Sequence, residues 1–337
     1  MAEPVRWGVL GCASIAVNKV IPGMRQAANC EIAGIASRNL ERADEVAAQL
    51  GIARTYGSYQ ALLDDPEIEA VYIPLPNNLH AEWTLKAAAA GKHVLCEKPL
   101  AMTAHEAQTM VAGCREAGVL LMEAFMYRHH PLWVRARELV AEGRIGELTA
   151  VEAIFSYHNT DPANIRNIPE LGGGALMDIG CYPVNVARMM FDAEPTAVQA
   201  MVRRDPVFGT DVLTSALLDF NGRHATFICS TQLERDQRVH LLGTEGRLLV
   251  EIPFNIPPRM PTRIIHTAGG NPPEAPETEV IEIPAADQYG IQGELFASAI
   301  RNGWPVPTPP GDAVANMKVI ERIFAAAEAS DAAVTRS

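Results

Sequence analysis

The sequence predicts an α/β domain built on a doubly wound parallel sheet, joined to an α+β domain with a mostly antiparallel open sheet. Two observations support this prediction. Over residues 1–123, short apolar runs alternate with helical segments, which is typical of a parallel sheet. From residue 148 onward, strand-like runs follow one another with few helices between them. We therefore expect two domains, 1–123 and 124–337. The C-terminal helix over 311–330 either belongs to the second domain or packs back on the first.

The composition excludes several classes of protein. The 337 residues carry a net charge of −12 with no run of Lys or Arg, which argues against nucleic acid and anionic membranes as partners. No apolar run approaches the length of a membrane span, and the N-terminus enters the first strand without a signal peptide. Six scattered cysteines with no Cys-x-x-Cys indicate neither a disulfide framework nor a zinc site. We expect a cytoplasmic protein.

The first predicted strand, Val5–Leu10, runs into the sequence Gly-Cys-Ala-Ser-Ile-Ala. This is a Gly-x-Ala-x-x-Ala variant of the dinucleotide fingerprint, in the strand-to-helix context that a Rossmann fold requires. A glycine permits the tight turn, small residues let the backbone approach a pyrophosphate, and the following helix presents its N-terminus to the anion. The cofactor-binding residues predicted here are Gly11, Ala13, Ser14 and Ile15. The alternative is a Rossmann-like scaffold that binds no dinucleotide.

The second predicted strand, residues 31–36, ends at Ser37 and Arg38. An NAD site usually places Asp or Glu here to accept from the ribose 2′-hydroxyl. A hydroxyl and a guanidinium instead suit a 2′-phosphate, so we favour NADP over NAD. In the alternative interpretation, Arg38 merely opens the next helix at the surface, with Asn39 as its N-cap.

The alternation continues to residue 122. We predict a helix over 40–50 closed by Gly51, strands over 53–56, 69–75, 93–96 and 119–122, and a short helix capped by Ser58. We also predict a helix that is capped by Asn78 and runs to Gly91, and a helix that begins at the capping box Thr103–Glu106 and stops at Gly118. Ligands of such sheets lie at the carboxyl ends of the strands. The cofactor-binding candidates at these ends are therefore Leu75, Pro76, Asn77, His80, Glu97 and Lys98. For His80, a helix-cap position without chemistry is the alternative.

Lys98 follows a strand that should be buried on both faces, in the order Glu97-Lys98-Pro99. Burying a lysine costs several kcal/mol unless it has partners or a task. Pro99 fixes its own φ and favours an extended backbone at Lys98, which aims the ammonium. A solvated lysine at the start of a loop is the alternative.

In the second half, strands are predicted over 148–157, 196–203, 212–220, 224–231, 239–242 and 247–252. Asn221-Gly222 is a type I′ hairpin signal, so the two strands beside it should be antiparallel. Helices are predicted over 175–191 with breaks, 287–302 and 311–330. The proline-rich stretch 255–276 is interpreted as an irregular excursion.

Four stretches carry a resemblance to a known family. They are Gly-Cys-Ala-Ser-Ile-Ala, Tyr-Ile-Pro-Leu-Pro-Asn-Asn-Leu-His, Cys-Glu-Lys-Pro-Leu, and Glu123-Ala-Phe-Met-Tyr-Arg-His-His-Pro131. Together they resemble the glucose–fructose oxidoreductase / inositol dehydrogenase / MocA (Gfo/Idh/MocA) family over nearly the whole chain. The resemblance implies that Lys98 lies in the active site. It also implies that Asp178, in Gly-Gly-Gly-Ala-Leu-Met-Asp-Ile-Gly, lines the substrate site.

Many members of that family have histidine where this chain has Tyr182. Tyrosine resembles the branch with NADP-dependent D-xylose dehydrogenase, glucose–fructose oxidoreductase and trans-dihydrodiol dehydrogenase, and some nucleotide-ketosugar reductases. A phenol with an ordinary pKa of about 10 needs a nearby cation to act as a base. We therefore assign Tyr182 as general base and Lys98 as its electrostatic partner and as a donor to the substrate hydroxyl. Asp178 would orient the sugar and hold Lys98. Lys98 as the proton acceptor stays open.

Substrate-binding candidates follow from the same resemblance and from side-chain chemistry. The loop 159–167 is rich in donors and offers Asn159 and Arg166 to a polyhydroxylated ligand, with a plain polar surface loop as the alternative. Tyr157 and Tyr289 are weaker candidates for an aromatic wall, and Arg128 for a contact to cofactor or sugar. His129 and His130 are adjacent and lack a third ligand at metal-binding spacing, so we expect no metal.

The sequence thus predicts an NADP-dependent oxidoreductase that oxidises an aldopyranose of the xylose or glucose type to a lactone. A ketosugar reductase or a trans-dihydrodiol dehydrogenase is the alternative enzyme, and a non-catalytic NADP-binding sensor the alternative from another class. The open sheet of the second domain predicts a homodimer or a dimer of dimers formed through its exposed face.

Overall fold

The computed structural model describes residues 3–269 and 277–334, which form two compact units. The first unit contains the described residues up to Met126 together with Asp287–Met317, and the second contains Tyr127–Ala286 and the described residues from Lys318 onward. Residues 287–317, assigned above to the second domain, therefore belong to the first unit. The physical reason is apolar packing: the ring centroid of Phe296 lies 5.6 Å from that of Trp7, in the first strand.

The strands and helices agree closely with the predicted order. The strands are β1 Val5–Leu10, β2 Cys30–Ala36, β3 Arg54–Tyr56, β4 Ala70–Ile73, β5 His93–Cys96, β6 Leu121–Glu123, β7 Leu148–His158, β8 Ala197–Arg204, β9 Asp211–Phe220, β10 Arg223–Ser230, β11 Gln232–Gly243, β12 Gly246–Val250, β13 Thr262–Ala268 and β14 Thr278–Ile283. The α-helices are α1 Ile21–Met24, α2 Leu40–Leu50, α3 Tyr59–Leu63, α4 His80–Ala89, α5 Ala104–Glu116, α6 Pro131–Ala141, α7 Cys181–Phe191, α8 Gln288–Asn302 and α9 Pro310–Val334.

The first unit contains a six-stranded parallel sheet in the order β3-β2-β1-β4-β5-β6. This is the doubly wound order of a Rossmann fold, and it confirms the prediction. Strands β1, β4 and β5 lie side by side in the middle of the sheet. Their carboxyl ends therefore bring the predicted cofactor residues to one edge.

Helix caps in the first unit mostly follow the sequence signals. The side chains of Asn39, Ser58 and Thr103 each accept a hydrogen bond from a backbone N–H in the first turn of their helix, as predicted. The prediction that Asn78 caps a helix is wrong. Asn77–Leu79 forms a 3₁₀ turn, and α4 begins at His80 without a side-chain cap.

Two short π-helical turns interrupt the helices that follow glycine-containing motifs. One, Ala16–Val20, precedes α1 in the first unit, and the other, Leu176–Gly180, precedes α7 in the second. Such π-helical turns are rare in proteins, and many of those that occur lie at functional sites. The first begins at Ala16, the last residue of the dinucleotide fingerprint, and the second lies within the glycine-rich stretch that carries Asp178.

The second unit contains an eight-stranded sheet in the order β14-β13-β12-β11-β7-β10-β9-β8. Every pair is antiparallel except β7 with β10, so the predicted mostly antiparallel sheet is confirmed. Asn221 and Gly222 connect β9 and β10 with φ values of 57° and 87°. Positive φ at both positions is the geometry of a type I′ turn, which confirms that prediction as well.

The prediction of an irregular excursion over 255–276 is wrong in part. Strand β13 lies inside this range, and β14, which follows it, was not predicted. The prolines of this stretch fall before and after β13, whereas Thr262–Ala268 is rich in β-branched residues and alternates between buried and less buried positions, which suits a strand. Residues 270–276 lie outside the described part of the chain.

Helix α7 and the π-helical turn before it cover one face of the large sheet, next to β7, β9 and β10. Apolar side chains also lie exposed on its strands. Met201 on β8 is 75% exposed and Ile228 on β10 is 40% exposed. None of the helices in the described ranges has an apolar stretch long enough to cross a membrane.

Candidate active site

The end of β1 has the backbone geometry that a dinucleotide requires. Gly11 has φ +115°, a conformation that side chains with a Cβ rarely adopt, and a Cβ built on it would lie 3.2 Å from Leu75 Cδ2. The helical turn after it starts without a side-chain cap. In the described residues no side chain accepts from the N–H groups of Ser14 or Ile15, so these donors fit a pyrophosphate.

The residues predicted to bind the 2′-phosphate lie at the end of β2. The Ser37 hydroxyl oxygen accepts a hydrogen bond from Asn39 N–H at 3.2 Å. Arg38 is exposed, and its guanidinium lies beside the Tyr59 hydroxyl. Burial raises the pKa of the Tyr59 phenol, and the positive charge of Arg38 offsets part of that rise. None of the described carboxylates forms an ion pair with Arg38. An exposed guanidinium that lies beside a phenol hydroxyl and forms no ion pair with a described carboxylate fits a phosphate group.

His80 lies where α4 begins and is fully buried. Its Nδ1 atom is 2.9 Å from the Pro99 carbonyl oxygen and its Nε2 atom is 2.8 Å from the Leu75 carbonyl oxygen. Burial lowers the pKa of this imidazole, and the two carbonyls oppose that effect. His80 therefore contributes to the predicted cofactor loop through the backbone of Leu75, with Pro76 and Asn77 following it into the 3₁₀ turn.

The turn over residues 97–100, called here the Lys98 turn, follows β5. Glu97 Oε1 accepts from the Tyr72 hydroxyl at 2.7 Å, and Glu97 Oε2 accepts from the Lys98 backbone N–H at 3.3 Å. The Lys98–Pro99 peptide bond is cis. Leu100 N–H donates to Glu123 Oε1 at 2.7 Å. Buried neighbours thus hold the backbone on both sides of Lys98, which is itself half-buried.

Tyr289, a predicted substrate-wall residue, lies in the first unit on α8. Its backbone N–H donates to Asp287 Oδ1 at 2.9 Å, and its ring is buried. Burial and the negative charge of Glu97 raise the pKa of the Tyr289 phenol. Tyr289 therefore belongs to the surroundings of Glu97 within the first unit.

In the second unit, the structure joins three predicted residues. Asp178 Oδ2 accepts from the Tyr157 hydroxyl at 2.6 Å and from Arg166 Nε at 2.8 Å. The Asp178 charge raises the pKa of the Arg166 guanidinium, and burial followed by the Asp178 charge raises that of the Tyr157 phenol. The result is an ionised carboxylate fixed by a cation and a neutral phenol. Tyr157 acts here through its hydroxyl.

Tyr182 lies at the start of α7 and is only 5% exposed. Its ring centroid is 5.0 Å from that of Phe254, 5.4 Å from that of Phe155 and 5.7 Å from that of Tyr127. These rings fix the phenol in one orientation and surround it with apolar surface. Gly180, between Asp178 and Tyr182, lets the helix approach β10, because a Cβ there would lie 2.7 Å from Cys229 Sγ.

Arg128 is held by a residue for which no role was predicted. Asn185 Oδ1 accepts from Arg128 Nη1 at 2.9 Å and from the Tyr127 hydroxyl at 2.6 Å. Asn185 is fully buried and lies three residues after Tyr182 on α7. A polar residue on a helix face that is otherwise apolar was the available signal.

Asp211, at the start of β9, is a second residue that sequence reasoning missed. It is 2% exposed, and its Oδ2 accepts from Leu176 N–H at 2.7 Å, in the first turn of the π-helical segment that carries Asp178. Burial raises the pKa of this carboxyl group. Because Asp211 and Leu176 are 35 residues apart, the sequence holds no local signal for the pairing.

The loop before the glycine run is ordered by its own amides. Asn159 Oδ1 accepts from Asp161 N–H at 3.0 Å and from Asn167 Nδ2 at 3.4 Å. Asn159 therefore shapes the loop from which Arg166 reaches Asp178. Its contact with substrate stays a prediction.

The adjacent histidines of the second unit have separate surroundings. His130 Nδ1 accepts from Leu132 N–H at the start of α6, and burial lowers the pKa of His129 to about 4. Over residues 3–269 and 277–334, no three His, Cys, Asp or Glu side chains are grouped so as to hold a metal ion.

The chain is similar to known proteins over nearly its whole length. Residues 5–125 match the model of the oxidoreductase family with an NAD-binding Rossmann fold, and residues 133–249 match the GFO/IDH/MocA C-terminal domain. An uncharacterised oxidoreductase of Rhizobium meliloti is 47% identical over 326 residues, which cover 96% of this chain and 97% of that protein. The NADP(+)-dependent D-xylose 1-dehydrogenase 2 of Haloferax volcanii is 41% identical over 324 residues, with coverage of 96% and 97%.

Among solved structures, a 3-ketoreductase from Actinomadura kijaniata in complex with NADP and TDP-benzene superposes with a TM-score of 0.89. It is 32% identical, over 96% of this chain and 98% of that one. The Haloferax enzyme uses NADP(+) and the Actinomadura structure contains NADP, in agreement with the cofactor predicted from Ser37 and Arg38. Two matched family models and relatives of this identity confirm an oxidoreductase that acts on sugars. The chain belongs to the Gfo/Idh/MocA family of oxidoreductases.

Proposed function

We propose that this protein is an NADP-dependent dehydrogenase that oxidises an aldopyranose at its anomeric carbon to a lactone. The observation that supports this proposal most is the cluster in which Arg166 and Tyr157 hold the Asp178 carboxylate, a fixed acceptor for sugar hydroxyls. The similarity to the D-xylose 1-dehydrogenase of Haloferax volcanii supports the choice of an aldose.

The chemistry requires the removal of a hydride and a proton from one carbinol. NADP, when bound, accepts the hydride. In our proposal Tyr182 takes the proton as general base, Lys98 supplies the positive charge that favours its phenolate, and Asp178 orients the hydroxyls of the sugar. The apolar rings around Tyr182 keep water from the phenol. Lys98 as the proton acceptor is the alternative within the same mechanism.

A panel of aldoses incubated with NADP(+) tests the substrate class through the appearance of NADPH absorbance. We expect turnover with one or more aldopyranoses and formation of the corresponding lactone, identified by mass spectrometry. Tight NADPH binding without turnover of any sugar or diol would instead favour a non-catalytic sensor.

A second candidate function transfers hydride in the opposite direction, in the reduction of a nucleotide-linked ketosugar with NADPH. The observation that favours it is the TM-score of 0.89 to a 3-ketoreductase that binds TDP-benzene. In that direction Tyr182 donates the proton that it would otherwise accept. Competition by thymidine diphosphate against substrate distinguishes the two, because a free aldose leaves no role for a nucleotide. A trans-dihydrodiol included in the panel tests the third reaction of this type.

We also propose that the protein is a homodimer, or a dimer of dimers, formed through the exposed face of the large sheet. Exposed Met201 and Ile228 on that sheet support this proposal, because apolar surface of this kind is typical of an interface. Light scattering after size-exclusion chromatography measures the mass, and Met201→Glu should shift it toward the monomer. A monomer in the wild type would contradict the proposal.

A further inference from the structure

His80 connects the carboxyl ends of two neighbouring strands. Leu75 follows β4 and Pro99 follows β5, and these strands pair in parallel with Ile73 opposite Cys96. The two ring nitrogens of His80 lie 2.8 Å and 2.9 Å from the carbonyl oxygens of Leu75 and Pro99. One fully buried ring therefore bridges the cofactor loop after β4 and the Lys98 turn after β5.

Other side chains form hydrogen bonds with the residues of the Lys98 turn on either side of the lysine and Pro99. Tyr72 donates to Glu97, and Glu123 accepts from Leu100 N–H, whereas His80 is placed at Pro99, the residue directly after Lys98. A turn held at each residue beside the lysine has little freedom to move. Small displacements of a reacting group cost large factors in rate.

We propose that His80 is a positioning residue, which fixes the backbone of Lys98 by joining Pro99 to Leu75. The proposal rests on the role of Lys98 in the proposed function. Each ring nitrogen faces a carbonyl oxygen, which only accepts, so the imidazole donates both hydrogen bonds when both nitrogens carry a proton and one of them when the ring is neutral. This hydrogen bonding, and not the volume of the ring, carries the role. Replacement by a ring without nitrogen atoms should therefore fail where a smaller residue with an amide partly succeeds.

The variants that separate these explanations are His80→Phe, which keeps a planar ring and loses both nitrogen atoms, and His80→Gln, whose amide keeps N–H donors for one of the two carbonyl oxygens. Thr84→Val is the matched control, since Thr84 is also fully buried on α4 and its hydroxyl lies beside the Cys96 thiol. For His80→Phe we expect kcat to fall by about 10- to 100-fold with the Kd for NADPH changed by less than about threefold. We expect His80→Gln to recover part of the loss and Thr84→Val to keep the wild-type kcat.

A double-mutant cycle with Lys98→Arg tests whether His80 acts through Lys98. Both histidine and lysine variants should lower kcat, and His80→Phe should cost less than about threefold once Lys98 is replaced. Equal losses from His80→Phe in both backgrounds would overturn the proposal.

Hydrogen–deuterium exchange of the protein without substrate gives a readout that does not depend on the reaction. We expect peptides covering residues 97–100 to exchange at least about 10-fold faster in His80→Phe, with β1 and β2 unchanged. Unchanged exchange at the Lys98 turn would refute the positioning role even if the sugar activity is found. Faster exchange without any sugar turnover in the wild type would refute the proposed function and leave the positioning of Lys98 supported.

Discussion

The two π-helical turns of this protein have similar backbones but differ in whether a side chain binds their first N–H groups. Each follows a glycine with positive φ, +115° at Gly11 and +121° at Gly174. Each begins with the same backbone hydrogen bond, from Val17 N–H to the Ala13 carbonyl and from Asp178 N–H to the Gly174 carbonyl, both at 3.0 Å. In the second turn, however, the Asp211 carboxylate accepts from Leu176 N–H at 2.7 Å. No described side chain does this at the first turn.

This difference indicates that the two turns serve different functions, one through its backbone N–H groups and the other through its side chains. The free N–H groups of the first turn attract an anionic ligand, so its function resides in the backbone and needs small side chains. In the second turn a protein carboxylate already occupies the position of the anion. That turn is therefore closed to a phosphate, and its function resides in the side chains that it presents, Asp178 and, one turn later, Tyr182.

The largest expected effect tests the dependence of the second turn on side chains. Tyr182→Phe removes one hydroxyl from a ring already fixed by its aromatic neighbours, so the fold should be kept. We expect kcat to fall by about 10²- to 10⁴-fold, the usual contribution of a general base, with NADPH affinity nearly unchanged. Stopped-flow turnover and fluorescence titration measure the two quantities. Unchanged turnover would end the assignment of Tyr182 as base and favour Lys98.

A smaller effect is expected from the ribose end of the first site. Arg38→Ala removes the guanidinium that we assign to the 2′-phosphate, and charged hydrogen bonds of this kind contribute about 1.5–3 kcal/mol. We expect NADP affinity to fall by about 10- to 100-fold while NAD affinity stays constant, as measured by competition titration. Arg42→Ala, on the exposed start of α2, serves as the control. Equal losses for both cofactors would contradict the assignment.

The backbone dependence of the first turn is tested by Gly11→Ala. A side chain at φ +115° costs about 1–2 kcal/mol, which corresponds to about a 10-fold weaker Kd for NADPH if the turn shifts to relieve it. Gly118→Ala is the matched control, because Gly118 also has positive φ, +68°, and has open space around its Cβ position. Both variants should lose stability, and only Gly11→Ala should lose cofactor affinity.

The smallest effect concerns the buried carboxylate of the second turn. Burial raises the pKa of Asp211, so the folded protein takes up this proton more readily than the unfolded chain. The contribution of Asp211 to stability therefore falls as pH rises from the ordinary carboxyl range through the raised value. Asp211→Asn should lower the free energy of unfolding by about 1 kcal/mol at low pH, and its deficit should shrink as pH rises.

Urea denaturation between pH 4 and 8 measures that trend. Asp219→Asn provides a comparison of opposite sign, since the hydrogen bond from Gly222 N–H lowers the pKa of Asp219. A deficit of Asp211→Asn that grows with pH would show that the charged form of Asp211 is the stabilising one.

Helix caps and the hairpin turn were predicted well from the sequence, because the groups that form them are only a few residues apart. Asn39, Ser58 and Thr103 cap helices through N–H groups three residues later, and Asn221-Gly222 sets the hairpin by its own φ values. Asn78 is the exception among the caps. There the chain first makes a 3₁₀ turn, and the carbonyls of Leu75 and Pro99 hold His80 at the start of the helix.

The residues that hold the site together were not predictable in the same way. Asn185 binds Arg128 across 57 positions of the chain, and Asp211 binds Leu176 across 35. Hydrogen bonds over such separations depend on strand order and register, which no local pattern encodes. The π-helical turns escaped prediction for a related reason: helical periodicity is inferred from apolar spacing, and five residues are too few to reveal a different period.

The division of the chain into units has a consequence for protein synthesis. When residue 126 leaves the ribosome, all six strands of the parallel sheet have been made, but α8 and its Phe296 have not. Trp7 on β1 therefore lacks its packing partner Phe296 until some 160 further residues have been made, because Asp287–Met317 completes this unit. The first unit is therefore incomplete, and open to chaperones and proteases, through about half of translation, and a stop codon anywhere before α8 yields no finished unit.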